Sequence, residues 1–212
     1  YPDIRNAIQN DACARFKINK QRIYLCGFSG GARVATSIAV ADVSVAGVIA
    51  NSAGFEPSAV RIQQDFCYVG IAGNEDFNRM EQVRTESMLS AYQYAHVLLE
   101  FDGPHEWAPE LTMQEAFLFL EARAIVAKKK ASANGLVLAN YESWKKDVVE
   151  TKNTFAKFNW LKKYVAYFDG YADVSSEKKM LAELNASAAI QNKLKAESDV
   201  LSSESVMQGS YY

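Results

Sequence analysis

Long apolar runs are missing from this 212-residue chain: Gly, Ser or a charged residue interrupts each within a few positions. A membrane-spanning helix needs ~18 to 20 uninterrupted apolar residues, so no span is expected. Cysteine is scarce and odd in number, with Cys13, Cys26 and Cys67 only. No disulfide framework follows, and Cys26 and Cys67 lie in apolar, strand-like runs where a small buried hydrophobe is the ordinary role. Histidine is scarcer still: His96 and His105 are the only two, and neither His nor Cys occurs after residue 105. That leaves the second part of the chain without the usual ligands of a structural metal, and no metal or cofactor is expected. An excess of one charge is also lacking, since 23 basic residues face 25 acidic ones for a net charge of -2. The chain as a whole offers no electrostatic footprint for nucleic acid or an anionic membrane, whereas small neutral substrates stay in play. The first residue is Tyr1 rather than Met, so no signal peptide or lipidation site can be read from what precedes it.

What is present is globular composition, 49% hydrophobic and 23% charged. This length accommodates one large domain or two small ones. The four prolines are Pro2, Pro57, Pro104 and Pro109, eight of the eleven glycines lie at or before Gly103, and after Arg123 every basic residue is lysine. A shift from Gly/Pro-punctuated alternation to long Pro-free stretches marks the change from an α/β unit to an all-helical one. The run Lys128-Lys129-Lys130 followed by Ala131-Ser132-Ala133-Asn134-Gly135 reads as a linker or as a helix end with its cap. It divides the chain into residues 1–130 and 131–212.

In the first part, residues 3–16 have helix-compatible spacing, and Arg22 to Gly27 is short, β-branched and aromatic, hence a buried strand. Gly30 to Ala41 reads as a closely packed helix of small residues, and residues 43–50 and 66–72 as two further apolar strands. Residues 80–95 carry Met80, Val83, Met88, Leu89 and Tyr92 on one helical face, His96 to Phe101 is a fourth strand, and residues 111–126 place Met113, Phe117, Leu120 and Ala124 in helical register. Strands alternating with helices imply an α/β fold with a mostly parallel sheet, because parallel neighbours need crossovers. Chemistry in such sheets sits at the carboxyl ends of the strands.

Three strand ends carry the catalytic residue types. The first strand runs into Gly27-Phe28-Ser29-Gly30-Gly31, a G-x-S-x-G pattern. Chance alone yields such a pattern in fewer than about one chain in ten of this length. Its place between a buried strand and a small-residue helix is the setting that a nucleophile elbow requires, with a strained Ser backbone and glycines that let strand and helix approach. A Ser there stands at a helix N-terminus, where the N–H of Gly30 is a natural donor to a developing oxyanion. A Gly-rich structural or phosphate-cradling turn is the competing reading, but no Lys follows the glycines as a P-loop needs.

The stretch Arg22-Ile23-Tyr24-Leu25-Cys26-Gly27-Phe28-Ser29-Gly30-Gly31-Ala32 resembles the α/β-hydrolase superfamily, in its esterase and dienelactone-hydrolase-like branch. The resemblance implies the order nucleophile, acid, histidine along the chain. Gly73-Asn74-Glu75-Asp76-Phe77 is similar to the family's acid turn, with Asp76 at the matching position, and Asp102-Gly103-Pro104-His105-Glu106-Trp107 is similar to its histidine loop. Glu75 and Glu56 are rival acids, Asp65 starts a strand at the wrong end, and His96 opens the strand whose far end leads to His105. The implied activity is that of a serine hydrolase cleaving an ester or similar acyl bond in a small-molecule substrate. A peptidase with the same triad is the nearest alternative. A non-catalytic hydrolase-like scaffold is the alternative outside the enzymes. The family has several strands before the nucleophile strand and takes its second oxyanion donor from a loop among them. Here one helix and a turn precede that strand, so the hydrolase domain of residues 1–130 is expected to be incomplete at its amino end, with a covering segment along the strand's edge. As to source, the resemblance points to bacteria and admits an exported enzyme.

From Leu136 onward the pattern is helical, with one stripe of Val137, Tyr141, Trp144 and Val148 and another of Phe158, Leu161, Val165 and Phe168. Residues 169–173 form a turn, and residues 174–206 a long helix or helix pair anchored by Leu181, Leu184, Ile190, Leu194 and Leu201. Seven aromatics fall between Phe155 and Tyr171, more than one helix face needs. They serve either as the packing of a small bundle or as a docking module for a protein partner, and no clean repeat period favours the second. Ten lysines against ten acidic residues leave no basic face for nucleic acid.

Overall fold

The structure, a computed structural model, describes residues 2–55, 66–128 and 135–209. It is α/β, with a four-stranded parallel sheet and, among the described residues, eight helices. In chain order these are α1 (Pro2–Arg15), β1 (Ile23–Phe28), α2 (Gly30–Ala41), β2 (Val45–Asn51), β3 (Cys67–Gly73), α3 (Arg79–Ala91), β4 (Ala95–Phe101), α4 (Glu110–Val126), α5 (Gly135–Glu150), α6 (Thr154–Phe168), α7 (Ser175–Asn185) and α8 (Ala188–Gly209). The chain divides into two compact units, Tyr1–Ala116 and Phe117–Tyr212, so the division falls within α4 rather than in the lysine run. Residues 129–134 of that run lie outside the described residues.

The strands of the first unit lie in sequence order, β1-β2-β3-β4, each parallel to the next. β2 and β3, the central pair, are buried at every position, as their unbroken apolar sequences VAGVIAN and CYVGIAG require of strands covered on both faces. β1 and β4 stand at the edges and are only partly buried. That corrects one expectation: Cys67 is buried, but Cys26 on β1 is exposed, because a strand with a single neighbour leaves part of its surface uncovered. Among the described residues no strand pairs with the other side of β1. Its Ile23 and Leu25, with Ile8 of α1 and Val34 and Ile38 of α2, line an open apolar groove of about 460 Å³.

The core between sheet and helices is built from small and branched residues, among them Ala32, Ala35, Val48, Ala50 and Phe66, with Leu89 of α3. The buried face of α3 differs from its apolar stripe. Met80, Gln82, Thr85 and Leu89 are buried, whereas Tyr92 is 70% exposed. The polar members are placed there by hydrogen bonds: Gln82 Nε2 donates to the carbonyls of Ala50 (2.6 Å) and Ala53 (2.8 Å), and Tyr68 Oη donates to Gln82 Oε1 (2.8 Å). Burial pushes the Tyr68 phenol well above its ordinary range, so it remains a donor. In α4 the register is likewise shifted: Leu118, Phe119 and Leu120 are buried while Phe117 is 55% exposed.

In the second unit, residues 174–206 fall on two helices, α7 and α8, rather than one. Trp144 of α5 packs against Tyr167 and Phe168 of α6 at centroid distances of 4.8 and 5.6 Å, and Tyr141 against Tyr164 and Phe168 at 5.6 and 5.4 Å. Most of the surplus aromatics thus interlock as the unit's core, each pair adding roughly 0.5 to 1.5 kcal/mol beyond area burial. Asn153 caps α6 by accepting from the N–H groups of Phe155 and Ala156, and Arg123 donates to the carbonyls of Tyr167 and Asp169 at its other end (2.7 Å each).

The crossing of β1 over α2 limits what the motif tolerates. A Cβ on Gly27 would run into the backbone of Gly31 and Ala32, whereas a Cβ on Gly30 or Gly31 meets nothing within 4 Å. Only the first motif glycine is demanded by close packing, which corrects the expectation that both flanking glycines are. Gly27→Ala is expected to cost about 2 kcal/mol or more in urea denaturation and Gly31→Ala less than about 0.5 kcal/mol. Equal losses would contradict this placement of the contact.

Candidate active site

Ser29 links β1 directly to α2 and adopts φ 52° and ψ -121°, a conformation non-glycine residues rarely take. Three backbone bonds hold it there. Its N–H donates to the carbonyl of Asn51 (2.8 Å), and its carbonyl accepts from Ala32 (2.9 Å) and Arg33 (3.3 Å). The side chain makes no capping bond to the helix, which leaves Oγ free to face another group. Gly30 opens α2, so its N–H belongs to the first turn, where no intrahelical carbonyl is available.

That other group is His105. Its Nε2 lies 3.0 Å from Ser29 Oγ, and its Nδ1 lies 2.8 Å from Asp76 Oδ1. A carboxylate only accepts, so Nδ1 carries the proton and Nε2 is left as acceptor for the serine hydroxyl. The Asp76 side chain is fully buried and the His105 side chain 19% exposed. Asp76 Oδ1 also accepts the N–H of Asn78 (2.8 Å), while Oδ2 is buried without a hydrogen-bond partner. The carboxylate is thereby aimed at one place, with its charge poorly solvated except through His105 and Asn78.

Parallel strands bring these residues together from far apart in the chain, because Ser29, Asp76 and His105 follow the carboxyl ends of β1, β3 and β4. The acid turn and the histidine loop are laced to each other: Asn74 N–H donates to Phe101 O (2.9 Å), Glu75 N–H to Gly103 O (3.1 Å), and Gly103 N–H to Asn74 Oδ1 (3.1 Å). Gly73 permits this approach, since a Cβ there would strike the carbonyls of Gly103 and Pro104.

The remaining strand, β2, contributes residues that the sequence did not single out as part of the site. Asn51 is fully buried, and its Nδ2 donates to the carbonyl of Glu106 (3.1 Å) and to Ser52 Oγ (2.7 Å). Its Oδ1 accepts the N–H of Ala108 (2.8 Å), so one amide grips the loop on both sides of Trp107. Ser52, fully buried at φ 59°, donates to the same Glu106 carbonyl (3.2 Å), and its own carbonyl accepts from Asn78 Nδ2 (2.9 Å). The one sequence signal for these positions was a polar pair, Asn51-Ser52, closing an otherwise apolar strand.

The rival residues stand elsewhere. Glu75 is exposed. His96 sits at the amino end of β4, its Nδ1 2.7 Å from Tyr94 O and its Nε2 3.0 Å from Ser90 Oγ. Glu56 and Asp65 lie outside the described residues. Among the described residues no group of three or more His, Cys, Asp or Glu side chains is placed to hold a metal ion, and no helix is long and apolar enough to cross a membrane. Comparison with protein-family models, curated proteins and solved structures gives no match to this chain.

The grip of Asn51 sets a measurable contrast. Asn51→Ala removes three bonds of a fully buried amide, one of them to the part-buried Ala108 N–H, and is expected to lower stability by about 2 kcal/mol, whereas Asn74→Ala, at an exposed site, loses less than about 1 kcal/mol in the same denaturation experiment. Similar losses at both positions would contradict it.

Proposed function

We propose that the chain is a serine hydrolase of α/β-hydrolase type, cleaving an ester or similar acyl bond of a small molecule through an acyl-enzyme on Ser29. The observation that carries this reading is the continuous path from Ser29 Oγ through both nitrogens of His105 to the buried Asp76, at 3.0 and 2.8 Å. The strained serine between strand and helix, and the order Ser, Asp, His along a parallel sheet, support the same assignment.

A serine hydroxyl is a weak nucleophile at neutral pH. As Oγ attacks the acyl carbon, its proton passes to His105 Nε2, and Asp76 stabilises the imidazolium through the Nδ1–H bond. The N–H of Gly30, at the positive end of α2, donates to the oxyanion. His105 then gives the proton to the leaving oxygen as the acyl–oxygen bond breaks. A water, deprotonated by the same nitrogen, releases the acid and restores Ser29. Asn51 and Ser52 touch none of the reacting atoms in this scheme. They hold the loop that carries His105.

A fluorophosphonate probe is expected to modify the protein on Ser29 and to leave Ser29→Ala unmodified. Absence of labelling between pH 6 and 9 would instead favour a non-catalytic scaffold. His105→Ala is expected to lower kcat for ester hydrolysis by about 10⁴-fold or more, and His96→Ala by less than about threefold. The reverse ranking would refute the assignment.

A further inference from the structure

The histidine is surrounded by aromatic rings that the triad chemistry does not use. The ring of Phe77 lies 4.2 Å from the His105 ring and that of Phe28 4.9 Å, measured between centroids, and Phe28 stacks on Trp107 at 5.3 Å and 28°. Phe77 is 62% exposed and Trp107 54% exposed, an unfavourable state for large apolar side chains. Neither stands on a slack loop. Trp107 is flanked by Glu106 and Ala108, both gripped by the buried amide of Asn51. Phe77 is flanked by Asp76 and Asn78, both buried, with the N–H of Asn78 held by Asp76 Oδ1. Exposed rings on pinned backbone form a preorganised surface, which lowers the ordering cost of binding. The described loops at this end of the sheet, residues 52–55, 74–78 and 102–109, add Glu75, Asp102 and Glu106 and contain no Lys or Arg.

We propose that Phe28, Phe77 and Trp107 bind an uncharged aromatic group on the leaving, alcohol side of the substrate, making the preferred substrate an ester of an arylalkyl alcohol. This rests on the triad reading above. The side is assigned by the chemistry: the leaving oxygen takes its proton from His105 Nε2, so the alcohol portion is held beside the imidazole, where the rings are. In the acylation step the Ser29 Oγ–acyl bond forms, the acyl–oxygen bond breaks, and the proton first taken from Ser29 leaves on the arylalkyl alcohol. Stacking on the rings favours a flat π-face over a saturated ring of similar size. Glu75, Asp102 and Glu106 of the described loops disfavour a carboxylate on that group.

The test compares benzyl, cyclohexylmethyl, 4-carboxybenzyl and ethyl acetates, which share one acyl group. Benzyl acetate is expected to exceed cyclohexylmethyl acetate in kcat/KM by about 3- to 10-fold, and 4-carboxybenzyl acetate to fall below benzyl acetate. Phe77→Leu and Trp107→Leu are expected to bring the benzyl-to-cyclohexylmethyl ratio close to one, chiefly through KM, while Phe77→Tyr and Trp107→Phe keep it. Equal rates for the two esters in the unaltered protein would overturn the proposal. So would a leucine variant that lowers kcat for every ester and leaves the ratio intact, since the rings would then only hold His105. A separate arm measures benzyl acetate binding to Ser29→Ala by ligand-observed NMR. If Ser29 is not labelled and no ester is cleaved, the triad reading fails, and this arm alone decides. Binding lost in the Ser29→Ala, Trp107→Leu double variant supports the aromatic site, and no binding refutes it.

Discussion

The buried amide of Asn51 reaches from the end of β2 to the Glu106 carbonyl and the Ala108 N–H, while the backbone carbonyl of the same residue holds the N–H of Ser29. One residue therefore connects the strained serine to the loop bearing His105, and the 3.0 Å separation of Oγ and Nε2 depends on both ends of that connection. Asn51 itself is fully buried and its bonds to the loop are partly so, which limits how far water can replace them. The other side of the histidine loop is fastened through Asn74 and Gly103 to the turn that carries Asp76. Ser29, His105 and Asp76 thus share one hydrogen-bonded frame.

That frame also explains where strain is tolerated. Ser29 and Ser52, each just after a strand, have positive φ, at a cost of roughly 1 to 3 kcal/mol apiece. Both are followed or preceded by bonds that a relaxed backbone would forfeit: Ser29 with Asn51 and Ala32, Ser52 with Ile71 and Asn78. The fully buried β2 and β3 anchor the frame, and the less buried β1 leads into Ser29. Precision at Ser29 accordingly comes from its neighbours in β2 and α2 more than from burial of its own strand.

Much of the fold is legible along the chain because it is local. The apolar runs of β2 and β3, the small-residue helix α2 and the glycine-bounded loops give the α/β order within a few residues. The failures have a common cause. Gln82 and Thr85 are polar, yet face the sheet, because partners on β2 and β3 and in the segment after β2 accept or donate their bonds. Cys26 is apolar enough to be buried, yet is exposed, because β1 has a neighbour on one side among the described residues. Periodicity assigns a face to each side chain by its own polarity and has no knowledge of the partner.

By itself the sequence determined the alternation of strands and helices, the serine between a strand and a helix, and a short list of acids and histidines at the strand ends. Those properties follow from neighbours in the chain and from backbone sterics near Gly27. The tertiary structure alone decided that His105 meets Ser29 and Asp76 at hydrogen-bond distance and that Asn51 binds the site together. These contacts join residues separated by 29, 55 and 76 positions. They exist because parallel register carries the ends of β1, β2, β3 and β4 to one edge of the sheet, a property of the paired strands that no single strand contains.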